Sequence, residues 1–438
     1  MKNNIYACLE IGCAEARVVV CSIQKERLYV LSEQALRSEG IVNGAVVDTN
    51  LAVQTLKALK VNIEADLNQR IQQVLLAVPS VDLTIEKAAE ALILDGGSSV
   101  DSRHVKQLLR KVLSQPAAPG RVNVNVIPRW FQVDGKEPAA NPIGQAGSHL
   151  AFESQKIAAR DTLVYSLINV AELAGFRIAD IMAGNIAEAQ YIQNAQRISQ
   201  GICQVNIGHS LTTLTISHGN RIAASKSISI GGQSVTEQIR TTFGLDDAAA
   251  EKLKVGFARI GRGDDSREII FMNEVDGGFV RITREMLEHV VTIGYQTIFK
   301  AIKQYLNEHA YKSDELQYVF TGGAAEVEGI EGLISESFGQ DSLVFRPNML
   351  GVRHAKYTKL IGMAICSHEL ALLIGQGQKV IDFDRYGLEE KSEPVLKTVA
   401  IPVMEKAKPQ EKTFVDHKLE QTGVLSRLLD RMFDEKAE

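Results

Sequence analysis

Residues 316–333 read LQYVFTGGAAEVEGIEGL, and the rest of the chain is organised around them. QYVFT, residues 317–321, is aromatic and β-branched and ends at a hard stop, the pattern of a short strand. Gly322 and Gly323 permit a turn that side chains would block, and they let a ligand approach the backbone. After Ala324 and Ala325 the apolar residues Val327, Ile330, Leu333 and Ile334 recur at helical spacing, which predicts a helix just past the glycines. Strand, Gly-Gly turn and helix start together can floor a nucleotide site, because N–H groups gather at a helix N-terminus. A bare structural turn reads the same way.

Working outward, a long-period repeat emerges. Residues 5–11, 17–23 and 28–34 predict three strands, joined by a turn at Gly12 and a hairpin at Lys25-Glu26, and an amphipathic helix follows over 51–62. The same order returns: strands 201–207, 213–217 and 221–230, with Gly208 after the first and a hairpin at residues 218–220, then a helix over 235–243. Such a repeat outweighs any local motif. Facing copies would set the Gly12 and Gly208 turns opposite each other, gripping phosphates from both sides.

Residues 74–152 read as a separate unit, with strand 74–80, helix 102–113 and strand 122–128. A turn-rich loop follows over 134–148, which holds five Gly or Pro. Helices over 163–174 and 186–195 return to the first half. In the second half, helices 245–257 and 283–308 flank a hairpin-like region, 268–282. Glu251 and Lys254 stand at i, i+3 and share one helix face, where a solvated charged face is the default.

At 438 residues, 45% hydrophobic and 23% charged with net charge −5, the chain has material for two to four domains and no bias toward a nucleic-acid partner. Five cysteines (Cys8, Cys13, Cys21, Cys203 and Cys366) are odd in number and form no metal spacing, so reduced core thiols of a cytosolic protein are expected. No signal-peptide pattern opens the sequence, and no segment reads as the roughly 20 apolar residues of a membrane span. A soluble chain is expected.

Residues 382–420 are charge-rich, with prolines and no apolar period, the composition of a disordered linker. GVLSRLLDRMF, residues 423–433, then sets Val424, Leu425, Leu428, Leu429, Met432 and Phe433 on one helix face. A short amphipathic helix beyond a flexible linker must dock on a partner, oligomerise or lie on a membrane. Its two arginines are offset by Asp430, Asp434 and Glu435, so lipid binding would rest on apolar insertion.

In order, EIGCAEARVVV (10–20), VNVIPRWFQVDGKEPAANPIGQAGSHL (124–150), SISIGGQSVTEQIRTTFGLDDAAAEKLK (227–254), YVFTGGAAEVEGI (318–330), RPNMLGV (346–352) and KYTKLIGMA (356–364) resemble the actin-like superfamily of ATP-binding proteins. Within it, residues 5–435 are similar to the FtsA family of bacterial cell-division proteins. The resemblance implies an α/β, two-lobed, ribonuclease-H-like fold with a duplicated βββαβαβα core and an inserted FtsA-type subdomain. The implied divisions are a first core (1–81 with 153–200), the insertion (82–152), a second core (201–236 with 309–382), an adenine-side subdomain (237–308), a linker (383–421) and a membrane-targeting helix (422–435).

The same resemblance implies an ATP site at Gly12, Cys13, Ala14, Gly208, His209, Ser210, Gly232, Glu251, Lys254, Gly322, Gly323 and Ala324, with Glu10 toward Mg²⁺. It implies membrane binding through Val424, Leu425, Leu428, Leu429, Met432 and Phe433, self-assembly into filaments, and tethering of the tubulin-like FtsZ. Other division proteins would be recruited through the insertion, and the location would be the cytoplasmic face of the plasma membrane at the division site. The pattern departs from the family where chemistry is expected. Cys13 stands for Thr or Ser and Glu15 for Lys, and the second loop's DIGGGTTD reads NIGHSLTT from Asn206 to Thr213. Asn206 cannot balance Mg²⁺ and no carboxylate remains in that loop as a base, so hydrolysis is expected to be slow or absent. His209 reads as a loop-surface histidine or as a substitute phosphate donor. Two alternatives share the fold: an active ATPase or sugar kinase, which Asn206 and Thr213 argue against, and a type IV pilus adaptor similar to PilM.

Overall fold

Two five-stranded sheets of the same topology carry the molecule. The structure, a computed structural model, describes residues 4–375 except 72, 96, 197–200, 220, 262–266, 276–277, 310 and 312–315. The expected linker at 383–421 and amphipathic helix at 422–435 lie outside the described residues.

In the first sheet Asn4–Ile11, Glu15–Gln24 and Arg27–Arg37 form an antiparallel meander. Gln73–Val78 runs parallel to the first strand and Arg177–Ala183 lies parallel beyond it. In the second sheet Gly201–Ile207, Thr212–His218 and Arg221–Ile228 repeat the meander, while Leu316–Thr321 and Leu343–Val344 repeat the parallel pair. The central strand GICQVNI is buried at all seven positions, so it lacks the alternation of a half-exposed strand.

The first turns of the two halves share one geometry. The Gly12 N–H donates to Glu15 O at 3.1 Å and the Gly208 N–H to Leu211 O at 2.9 Å. A Cβ at Gly12 would stand 2.7 Å from Glu15 O, and one at Gly208 2.9 Å from Leu211 O. Each glycine is required by a carbonyl folded back over it.

The helix expected directly after Gly323 starts later. Gly323–Glu326 is a 3₁₀ turn, and the α-helix is Ile330–Phe338. Between them Ile260 N donates to Glu328 O at 2.8 Å, a tertiary pairing that holds residues 327–328 extended against the helical period.

In the insertion, Thr84–Ile93 and Arg121–Val133 flank His149–Arg160, with helix Ser102–Ser114 packed on the sheet. The boundary expected at residue 152 falls inside the strand His149–Arg160. One end of this sheet packs with its own helix, Phe131 and Phe152 against Val105 and Leu109. The other end, Val124, Ile127, Ile157 and Ala159, belongs to the first-half core.

Helix Thr358–Ile374 was not anticipated from the sequence. Ala355–Ile374 is long and apolar enough to cross a membrane by length and composition, which corrects the expectation that no segment qualifies. Leu360, Ile361, Met363 and Ala364 are fully buried, in one cluster with Cys8 and Val19 of the first sheet and Ile202 and Val319 of the second. Its apolar face is a joint between the halves.

Candidate functional site

Between the two repeated turns lies a cleft of about 570 Å³. That is within the range of small-molecule sites, roughly 300–1,000 Å³. Gly12, Cys13, Ala14, Gly208, His209, Ser210, Gly232, Glu251, Lys254, Gly322, Gly323 and Ala324 all line it, as does Glu10. The facing of the two copies brings these distant segments together.

Gly322 sits at φ 91°, and a Cβ there would stand 2.4 Å from Ile207 O. The glycine lets the floor strand turn against the second loop's own strand. The second loop is also braced from behind. Gly232 N–H donates to Gly208 O at 2.9 Å and Gln233 N–H to His209 O at 2.7 Å. These helix-start N–H groups are therefore spent on the loop rather than left to meet an anion. Ser210 Oγ is buried with no hydrogen-bond partner among the described residues, an acceptor and donor poised for something in the cleft.

Glu251 and Lys254 do not form a solvated face. Lys254 is buried, and its Nζ donates to Glu251 Oε2 at 2.7 Å, Thr236 Oγ1 at 2.6 Å and Gly232 O at 3.0 Å. Burial lowers the Lys254 pKa, with Glu251 pulling it back. Burial pushes Glu251 up, but Lys254 outweighs it and holds the carboxyl below its usual value. His209 is lowered by burial and by Lys254, so its ring favours the neutral form, short of a charged phosphate donor.

Asn206 lines the cleft, but its amide is turned to Glu188. Its Nδ2 donates to Glu188 Oε2 at 2.9 Å and Oε1 at 3.1 Å, and Gln204 Nε2 donates to Glu188 Oε2 at 2.9 Å. Glu188, on helix Gly184–Gln196, is fully buried and burial pushes its pKa up to about 7. Thr213 Oγ1 is 2.8 Å from Ser227 Oγ, which donates to Ser80 O of the first half at 3.0 Å. The two positions where the family pattern has aspartates are thus occupied by structural hydrogen bonds.

Three basic residues of the cleft, Arg17, Lys356 and Lys359, were missed from sequence, whereas Lys254 was read. Glu10 takes Lys359 Nζ at 2.6 Å on Oε1 and Arg17 Nη2 at 3.2 Å on Oε2. Glu15 takes Lys356 Nζ at 3.0 Å, and Arg17 Nη1 donates to Lys356 O at 2.7 Å. Burial raises the Glu10 pKa, but Arg17 and Lys359 bring it below the ordinary value. The assignment of Glu10 to Mg²⁺ meets this geometry badly, because its carboxylate already faces two cations, although its buried Oε2 makes no hydrogen bond among the described residues. The signal lay in KYTKL at 356–360, where two lysines interrupt an apolar run.

All five carboxylates lining the cleft are engaged. Besides Glu10, Glu15 and Glu251, Glu33 accepts from the Tyr357 hydroxyl, and Glu326 accepts from Ala355 N and lies 3.5 Å from Arg346.

Comparison with known proteins agrees with this architecture. A family profile described as "Cell division protein FtsA" matches residues 203–362, and one described as "SHS2 domain inserted in FTSA" matches 83–158. Cell division protein FtsA of Enterococcus hirae is 24% identical over 389 residues, 87% of this chain and 88% of that one. The Bacillus subtilis (strain 168) protein is 21% identical over 364 residues, 82% and 83% of the two chains. Among solved structures, the PilM-PilN type IV pilus biogenesis complex aligns with TM-score 0.55 at 14% identity, covering 82% of this chain and 98% of that one. MreB5 of Spiroplasma citri bound to ADP aligns with TM-score 0.51 at 13% identity, covering 86% and 100%. These structural likenesses establish the actin-like fold. With two profiles that together span more than half of the chain, and relatives matched along most of their length, the chain belongs to the FtsA family of cell-division proteins, within the actin-like ATPase superfamily.

Proposed function

We propose that this chain is a nucleotide-binding scaffold of cell division that holds ATP with little or no hydrolysis. It assembles on the inner membrane face and tethers the FtsZ ring there. The observation that carries the reading is the cleft itself: both repeated turns and the Gly322-Gly323 floor meet in one cavity, while all its carboxylates are engaged. Phosphoryl transfer depends on positioned charge and a free base or water-orienting group. The cleft offers cations and a cradle for phosphates, and every carboxylate lining it among the described residues is already held by a cation or a hydrogen bond. Nucleotide would then act as a structural wedge between the halves. The ADP and AMPPNP in the MreB5 structures are consistent with a nucleotide in a cleft of this fold.

A magnesium ion does not fit these residues as they stand. Mg²⁺ asks for about six oxygen ligands in octahedral geometry. Here Glu10 is shared by Lys359 and Arg17, and Asn206 presents its amide N–H groups to Glu188.

Membrane attachment is assigned to residues 422–435 on the apolar face read from the sequence, and self-assembly would multiply its weak affinity. Contacts with other division proteins are assigned to the insertion. In a vesicle assay the full chain should co-sediment with liposomes and bring FtsZ with it. Leu428→Glu with Leu429→Glu should abolish co-sedimentation and leave the melting temperature unchanged. Undiminished sedimentation of the double variant would remove the tail from the mechanism, and failure of the wild type to recruit FtsZ would remove the tether.

A further inference from the structure

The Arg17–Glu10–Lys359 cluster in the cleft is built rather than incidental. The three side chains are 14%, 10% and 12% exposed, and one carboxylate is shared by two cations, so the trio carries one net positive charge. Arg17 is pinned by donation to Lys356 O at 2.7 Å, while its Nε is buried with no partner among the described residues. Lys356, the next cation along, is held by Glu15 at 3.0 Å.

We propose that Arg17 and Lys359 are a built-in substitute for a divalent metal, so that the cleft takes a nucleoside polyphosphate in its metal-free, fully anionic form. The inference rests on the nucleotide reading above and goes further, naming the ionic form of the ligand.

Two physical points carry it. A divalent ion approaching Glu10 must expel Lys359 or Arg17 from a nearly buried ion pair, leaving an ammonium or guanidinium uncompensated beside a new dication. No second free carboxylate converges on the spot: Glu15 is neutralised by Lys356, and Glu188, which feels the charges of Glu10 and Lys359, is fully buried and bound by Asn206 and Gln204. What a metal contributes to holding a polyphosphate is mainly charge neutralisation and orientation. Two fixed cations, one of them offset by Glu10, supply part of that neutralisation here, and a lysine and an arginine can donate directly to phosphate oxygens. Chelated nucleotide brings fewer negative charges to the same cations, so chelation should not help.

The test is titration calorimetry of ATP into the full chain, in excess Mg²⁺ and in EDTA. The expected result is an affinity in EDTA that equals that in Mg²⁺ within about twofold or exceeds it. Strengthening by Mg²⁺ of about tenfold or more would overturn the proposal and leave the nucleotide site intact. No binding in either condition would instead overturn the nucleotide reading, and the clamp with it. Tripolyphosphate in EDTA should compete with ATP; failure to compete while ATP binds would also sink the clamp. Lys359→Gln, if folded by thermal melt, should lose affinity about tenfold in EDTA and gain a dependence on Mg²⁺, because Glu10 then keeps Arg17 as its one cation and its Oε1 is released. Unchanged affinity in both buffers would overturn the role of Lys359. Should that variant not fold, the wild-type comparison decides alone.

Discussion

From the loop pattern alone, Asn206→Asp restores an acid where the family has one. The structure predicts that it instead weakens the fold without restoring hydrolysis. Asn206 Nδ2 sits 2.9 and 3.1 Å from the two oxygens of Glu188, and both side chains are buried, at 8% and 0% exposure. An aspartate there replaces donors with acceptors. Two ionised carboxylates about 4 Å apart repel by about 4 kcal/mol at an effective dielectric constant of about 20. The pair escapes by keeping one proton, so that figure is a ceiling that the variant approaches only at high pH. Near pH 6 the shared proton can bridge the two groups, and the loss should shrink to about 1 kcal/mol, the value of an ordinary hydrogen bond. Against a total stability of about 5–15 kcal/mol, a loss of about 3 kcal/mol at pH 8 is large. Urea unfolding of wild type and variant at pH 6 and pH 8 measures this, with phosphate release followed alongside. Equal losses at the two pH values, or a variant as stable as wild type at pH 8, would refute the inward-facing pair. Position 206 already lines the cleft, so a rise in phosphate release would show that the introduced carboxylate turns from Glu188 to supply the missing acid.

Three further outcomes are expected. Gly322→Ala should cost about 2 kcal/mol or more, because φ is 91° and a Cβ would meet Ile207 O at 2.4 Å; a melting temperature unchanged from wild type would contradict the turn geometry. Burial pushes Glu188 and Asp180 up to about 7, against ordinary values of 4.5 and 3.8. Raised carboxyls contribute stability below their unfolded pKa values, and it is lost as pH climbs through about 7. Melting temperature should therefore fall between pH 5.5 and 8, and a rise across that window would count against the buried carboxyls. Deleting residues 82–151 should destabilise the remaining body severely. The cut removes Val122, Val124 and Ile127 from the first-half core and truncates the strand His149–Arg160; a cooperative unfolding transition near that of wild type would show that the insertion packs independently.

Much of the fold was legible because it is written twice. Gly12 and Gly208 follow matching strands, and the reason is local: in each a carbonyl folds over the glycine. The strands Arg177–Ala183 and Leu343–Val344 were not read, since each is defined by parallel pairing with a distant neighbour rather than by a period of its own. Helix Thr358–Ile374 escaped for the opposite reason: packed between both halves, it is apolar almost all round and shows little amphipathic rhythm.

The site divides along the same line. Sequence alone determined that two glycine turns and a Gly-Gly floor exist, that the second loop lacks carboxylates, and that residues 423–433 carry an apolar face. Those features are properties of short stretches, where residue type and spacing dictate what the backbone can do. Tertiary structure alone decided that Lys359 and Arg17 share Glu10, that Glu15 and Lys356 pair across 341 residues of chain, and that Asn206 turns toward Glu188. An ion pair depends on where two side chains meet in space and on how much water is removed from them, and neither quantity is a function of sequence distance.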